Sequence, residues 1–285
     1  MVYLTQVVFY FLFFSPLGRV TSYYYWKLYP SYIHIFAIVT VLITLSGYLI
    51  NDYFDRETDK INQKVKLSPP AILKLYFIAV FTGFILAFRL AMSLGYPLLT
   101  LIYLLAVVLL YMYSSSWKKK VLIGNIVVSG FTAGVPLILL YAELENLPLI
   151  KEEVPIILMF GLFSFLISMT REIIKDIEDV EGDRVASYNT LPIVYGVERA
   201  KLVAGIFCLT LIIVLLLWQY FCLDLAVSIH LLTLIVLYFP LIYLLIKLFR
   251  KSPPNWHSLS LLCKLIMLMG LLLLILLKCY PLITN

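Results

Sequence analysis

Apolar runs of about 20 residues, each closed off by charge, proline or glycine, recur along the chain and restrict its fold more than any other feature. A segment in hydrocarbon has no water to bond its backbone amides, so only helices and closed barrels cross a bilayer. Barrel strands alternate polar and apolar residues, whereas LTLIIVLLLWQYF (209–221) is apolar on every side. Helices are therefore expected, in about nine spans at 2–17, 31–51, 72–93, 96–113, 121–142, 153–172, 200–221, 225–247 and 257–280. The predicted fold class is all-α, a polytopic membrane protein, with residues 1–285 as a single transmembrane domain. A mean hydropathy of +1.00 and only 13% charged residues agree with that class. The first run is short, but it lacks the basic start and small-residue cleavage site of a signal peptide and reads as a span.

Basic residues are retained on the cytoplasmic side of a membrane, so their distribution tests both the span set and its direction. The even-numbered loops hold sixteen of the 22 Lys and Arg, the N-terminus, odd loops and C-terminal tail hold five, and Lys264 lies inside the last span. An odd number of helices with the N-terminus inside follows, and one missed span would reverse every later loop. The odd loops carry Glu143, Glu145, Glu152, Glu153 and Asp224, which fits an outer surface. Cys208, Cys222, Cys263 and Cys279 lie within or beside apolar runs without CxxC or Cys/His pairing, so they read as packing residues. The net charge of +6 is spread among loops with no recognition module, which excludes nucleic acid as a partner. His34, His230 and His257 share no metal spacing and read as interfacial or internally bonded residues.

Against this background two acidic clusters stand out, NDYFDRETD at 51–59 and KDIEDVEGD at 175–183. Shifting the second by 124 positions superposes Asp176, Asp179 and Asp183 on Asp52, Asp55 and Asp59, the spacing D-x2-D-x3-D both times. At about 100° per residue, three aspartates so spaced share one face of a helix. Nine of the sixteen Asp and Glu fall in these two short segments, with Glu172 just ahead of the second, all on the predicted cytoplasmic side. Carboxylates this close stay ionised only beside cations or solvent. One such run alone is as well explained by a solvated helix end, but the repeated register on one membrane side favours a shared chemical task. An all-oxygen donor set without His or Cys suits Mg²⁺, which binds one or two carboxylates and completes its shell with water and phosphate oxygens. Two facing clusters would hold a diphosphate through bridging metals and stabilise charge on a phosphate leaving group.

The sequence N51-D52-x2-D55-x3-D59 after the second span, with D179-x3-D183 after the sixth, resembles the UbiA superfamily of intramembrane prenyltransferases. The likeness extends through I61-N62, Y113-S114, K118-K119, G124-N125, T190-L191-P192 and Gly196. REIIKDIEDVEGDR (171–184) is further similar to archaeal members that prenylate a glyceryl phosphate ether lipid. The chain departs from the family at K66-L67, where Arg-Pro is common, and in the spacing Y113-x4-K118.

The resemblance implies nine helices around a central cavity capped by cytoplasmic loops, with transfer of a prenyl group from a prenyl diphosphate such as geranylgeranyl diphosphate through an allylic cation. It implies Asp55 and Asp59 on one Mg²⁺ and Asp179 and Asp183 on a second. Asp52 and Asp176 are either direct ligands or orienting residues. Asn51 is then a donor to the diphosphate, and Lys118, Lys119, Arg171 and Lys175 are candidates to neutralise it. Tyr48, Tyr53, Phe54, Tyr111 and Tyr113 lie near enough in sequence to face an allylic cation. The acceptor is left open between a glyceryl phosphate ether-lipid precursor and an aromatic quinone precursor, and the prenyl length is open too. A divalent-cation carrier with paired acidic repeats is the alternative, although carrier sites lie near the bilayer midplane. The D-G-x2-A-R start of the CDP-alcohol phosphotransferases does not occur.

Overall fold

The computed structural model describes residues 1–14, 30–56, 67–143, 151–221, 227–250 and 254–284, and among them there is no strand. Helix α1 (Val2–Phe9) runs on into a π-helical turn at Tyr10–Phe14. It is followed by α2 (Pro30–Phe54), α3 (Pro69–Leu94), α4 (Leu98–Ser115), α5 (Ile123–Ala142) and α6 (Val154–Glu178). Two short helices, α7 (Val180–Val185) and α8 (Leu191–Tyr195), precede α9 (Val197–Phe221). The chain ends in α10 (Val227–Thr233), α11 (Phe239–Leu248) and α12 (Trp256–Thr284). Among the described residues eight helices are long and apolar enough to cross a membrane, and Val2–Phe14 is a shorter apolar helix. This is the all-α, polytopic membrane architecture expected from the apolar runs.

Local chemistry sets the ends. Pro69 and Pro70 open α3 after Ser68, where a missing N–H is harmless. Gly95 closes it at φ 74°, with the Gly95 N–H reaching Met92 O (3.2 Å) and the Tyr96 N–H reaching Ala91 O (2.9 Å), a Schellman pattern. Pro240 has no N–H to give the carbonyl of Val236, and the path between α10 and α11 takes a π-helical turn at Leu234–Tyr238. The predicted second and sixth spans stop short. α2 continues to Phe54 and α6 to Glu178, because a charged residue ends an apolar run without ending a helix.

The chain forms two compact units, Met1–Lys118 with Gly134–Gly161, and Lys119–Ala133 with Leu162–Asn285. In the first, α2 packs against α1, α3 and α4. Glycines permit the close approach that helices in lipid rely on. A Cβ on Gly83 would lie 3.1 Å from Ile43 Cδ1, and one on Gly47 3.0 Å from Leu110 Cδ1. Buried polar groups here bond one another: Gln6 Nε2 donates to Thr40 Oγ1 (3.0 Å) and Val135 O (3.2 Å), and Thr40 Oγ1 shares a bond with Tyr103 Oη (2.9 Å). Glu143 and Glu153 are buried within the protein. Rings cluster in the same unit, with Phe9 against Phe13 and Phe160 at 5.4 and 4.8 Å between centroids.

In the second unit, α9 packs on α8 and α11, and α12 on α11 and the π-helical turn before it. Cys208 and Cys263 are buried packing residues, as expected. The outward faces are apolar. On α3, Phe77 is 63% and Phe81 68% exposed, and Phe84 and Phe88 continue the stripe, which only a lipid-facing helix tolerates. The three histidines are internally bonded: His34 with Tyr3 Oη (2.7 Å), His230 with Gln219 (2.8 Å) and His257 with Glu178 (3.1 Å). Arg89 and Lys264 are exposed on α3 and α12.

Space at two glycines separates strain from tolerance. A Cβ on Gly270 would sit 2.6 Å from Phe163 Cε1, whereas one on Gly130 meets nothing within 4 Å. Gly270→Val should lower stability by about 1–3 kcal/mol through overpacking. Gly130→Ala should leave the melting temperature of the detergent-solubilised protein unchanged or slightly raised, and thermal denaturation of both variants checks this.

Candidate active site

The two acidic motifs have the same backbone. Residues 51–56 and 175–180 each run as four helical residues, one irregular residue and a return to helix, and the irregular residue is Asp55 in one and Asp179 in the other. In both, the aspartate N–H still reaches back four residues, Asp55 to Asn51 O and Asp179 to Lys175 O, each at 2.9 Å. The helices that end there match as well. α2 covers 30–54 and α6 covers 154–178, the same 25 residues displaced by 124. Two motifs that agree only in aspartate spacing could do so by chance, but agreement in helix length and in the point of irregularity marks a repeated structural unit.

Side chains complete the first motif differently from the second. Asn51 Nδ2 donates to Asp55 Oδ2 at 2.7 Å. The Lys118 ammonium, delivered by the turn Trp117–Lys119 after α4, donates to Asn51 Oδ1 at 2.9 Å and forms an ion pair with Asp55 Oδ1. Lys118 is only 9% exposed, so its charge depends on these oxygens. Asp52 is half-buried on the last turn of α2. Asp59 and Lys66 lie outside the described residues. Phe54 meets Tyr53 and Tyr111 edge-on, at 5.6 and 5.7 Å between centroids, while Tyr48 is 70% exposed.

In the second motif Asp176, half-buried on α6, accepts a hydrogen bond at Oδ2 from Asn125 Nδ2 of α5, at 2.8 Å. Asp183 lies in α7 and its N–H reaches Asp179 O at 2.9 Å, so the helical path holds the three aspartates in sequence with one irregularity. α7 is then closed by Ser187 at φ 56°, with the Ser187 N–H on Arg184 O (3.1 Å) and the Tyr188 N–H on Asp183 O (2.9 Å). The following loop is tied to Lys119. Its carbonyl accepts from the Asn189 N–H at 2.8 Å, and its Nζ stands 5.4 Å over the Tyr188 ring. Arg171 Nη1 is paired with the buried Glu172, while its buried Nε has no hydrogen-bond partner among the described residues. Lys175 is exposed at the end of α6.

The expected residues thus divide. Asn51, Asp55 and Lys118 come together in one group, and Asp176, Asp179 and Asp183 follow one another in the second unit. Lys119 is engaged by the loop beyond Asp183, Arg171 by its neighbour, and Lys175 stands apart. Among the described residues no three His, Cys, Asp or Glu side chains converge on a point. Asn125, part of the G124-N125 pair in the family resemblance, was given no role by sequence reasoning. The available signal was an amide in the first turn of an apolar span, a position that needs a partner once buried. The donor chemistry fits Mg²⁺, since all the oxygens are carboxylate or amide oxygens. Asp55 already gathers a positive charge at its carboxylate in the form of Lys118.

The profile of the UbiA prenyltransferase family matches residues 11–266. The chain belongs to the UbiA prenyltransferase family. It is 30% identical over 241 residues to a digeranylgeranylglyceryl phosphate synthase of Methanosphaera stadtmanae, covering 82% of this chain and 83% of the relative. A solved structure concerned with digeranylgeranylglyceryl phosphate synthase in membranes superposes with a TM-score of 0.69 at 24% identity, over 96% of this chain and 92% of the other. A UbiA homologue of Archaeoglobus fulgidus bound to DMAPP and Mg²⁺ superposes with a TM-score of 0.55 at 19% identity, over 96% and 94%. These two share the fold. As a UbiA family member the protein is an integral membrane prenyltransferase, which sets aside the carrier reading.

In this UbiA prenyltransferase, Asn125→Leu leaves Asp176 without its amide donor. The expected cost is about 1–3 kcal/mol of stability, measured as a lower melting temperature, together with a fall in kcat/KM for prenyl transfer.

Proposed function

We propose that this protein transfers a geranylgeranyl group from its diphosphate to a glyceryl phosphate that already carries one such chain, with Mg²⁺ as the cofactor. The observation that carries this reading is the pair of carboxylate helix ends with matching backbone pattern, in a chain 30% identical over 241 residues to a digeranylgeranylglyceryl phosphate synthase. The relative bound to DMAPP and Mg²⁺ supports the donor class and the metal.

Asp55 and Asp59 would hold one ion and Asp179 and Asp183 another, with Asp52 and Asp176 as ligands or as residues that orient them. Metal held by these carboxylates would supply charge neutralisation for the departing diphosphate. Lys118 and Asn51, gathered at Asp55, would supply further donors to its oxygens and lower the barrier to ionisation at the allylic carbon. The acceptor hydroxyl captures that carbon, loses its proton and forms an ether bond. Apolar helices around the reacting carbon exclude water, which would otherwise yield the free alcohol. The excess of Lys and Arg in the even loops supports a cytoplasmic N-terminus and a site at the cytoplasmic face. The whole chain acts as one catalytic domain in this reading.

Purified protein given labelled geranylgeranyl diphosphate and a panel of acceptors should prenylate geranylgeranylglyceryl phosphate and leave aromatic acids untouched. Preference for an aromatic acceptor would overturn the acceptor assignment. Asp55→Ala and Asp179→Ala should each abolish Mg²⁺-dependent transfer while the protein still inserts and melts as a folded membrane protein. Full activity in either variant would sink the metal assignment.

A further inference from the structure

We infer that Lys118 is a resident counter-cation that excludes free Mg²⁺ from Asp55 and gives way only when the metal arrives with a diphosphate. This rests on Asp55 being a metal ligand, as proposed above, and goes beyond it by setting the order of binding. Three contacts close a ring: Lys118 Nζ to Asp55 Oδ1, Lys118 Nζ to Asn51 Oδ1 (2.9 Å), and Asn51 Nδ2 to Asp55 Oδ2 (2.7 Å). Both carboxylate oxygens are therefore engaged, one by a full positive charge. A divalent ion approaching that carboxylate meets the ammonium within a few ångströms, at a depth where solvent screens poorly.

Lys118 cannot simply swing away. At 9% exposure its ammonium needs replacement acceptors before it releases these two. A diphosphate supplies them: its oxygens accept from the ammonium while the metal takes the vacated carboxylate lone pairs. Asn51 is released in the same exchange, because its amide oxygen and nitrogen are held by Lys118 and Asp55 respectively. The metal and the diphosphate then bind as partners, each raising the affinity of the other by the same factor. The device keeps a carboxylate helix end from holding metal between turnovers and makes the diphosphate the ligand that admits it.

The test is metal binding to the intact chain purified in detergent, with free Mn²⁺ followed by its EPR signal in the absence of any diphosphate. Lys118→Met and Lys118→Gln should each bind Mn²⁺ about tenfold tighter than wild type, or more, because the repelling charge is gone. Lys118→Arg should bind as wild type does. In equilibrium dialysis, Mg²⁺ should strengthen the binding of labelled inorganic pyrophosphate to wild type by a larger factor than to Lys118→Gln. The Gln variant keeps a group able to bond Asn51, so it reports even if the Met variant fails to fold. Equal Mn²⁺ affinity in wild type, Lys118→Gln and Lys118→Met, with Asp55→Asn weaker than all three, would overturn the inference and leave Asp55 a metal ligand. Asp55→Asn binding pyrophosphate in the presence of Mg²⁺ as tightly as wild type does would overturn the ligand assignment itself and the inference with it.

Discussion

A bilayer offers no water to a backbone amide, and the rest of this structure follows from that. Every crossing segment becomes a helix, and polar side chains inside the hydrocarbon must find each other, as Gln6, Thr40 and Tyr103 do. Ionic chemistry moves to the helix ends, where α2 and α6 run on past their apolar runs and lift Asp52 and Asp176 beyond the last fully apolar turn. A carboxylate there sits on a rigid element yet stays close to water. That is the compromise a charged ligand with a long apolar tail requires, since the head must be reached from the aqueous side and the tail from lipid.

Repetition of the motif is a property of the backbone, and divergence is a property of the side chains around it. The same helix length and the same irregular aspartate recur at a displacement of 124, while the groups that satisfy the carboxylates do not. Asp55 takes an amide from its own helix and an ammonium from the turn after α4. Asp176 takes an amide from α5. Lys175 occupies the place of Asn51, so the second helix carries no amide at that position. Asp55 and Asp176, at different places in the repeat, thus carry different compensation, one from a full charge and the other from a dipole. The two helix ends are not interchangeable.

Much of the fold was legible because apolar runs and loop charges are one-dimensional signals. The register of the aspartates was legible for the same reason, being a matter of spacing along one helix. The ends of α2 and α6 were placed short, since hydropathy falls at the first charge while hydrogen bonding does not stop there. The π-helical turn at Leu234–Tyr238 could have been suspected from Pro240 alone. The partners of the carboxylates could not be read in this way. Lys118 lies 63 residues from Asp55 and Asn125 51 residues from Asp176, and only tertiary packing brings them together. Lys118 and Asn51 were expected to face a diphosphate, and they also face the carboxylate that would share it.

The acidic motifs also explain why the reaction class could be read from a few residues while the substrate needed similarity along most of the chain. Prenyl donors of every length present the same diphosphate, so no arrangement of aspartate, asparagine and lysine around it can tell one tail from another. Discrimination has to come from apolar contact, where each buried methylene contributes about 0.8 kcal/mol. One isoprene unit carries several such groups, so a single side chain that closes or opens the far end of the tail's path separates donors by orders of magnitude. Such side chains are Leu, Ile and Phe among many others of the same kind, without spacing or charge to mark them. Charge at the helix ends therefore identifies the chemistry, and the identity of the tail is spread through the helices that lead away from it.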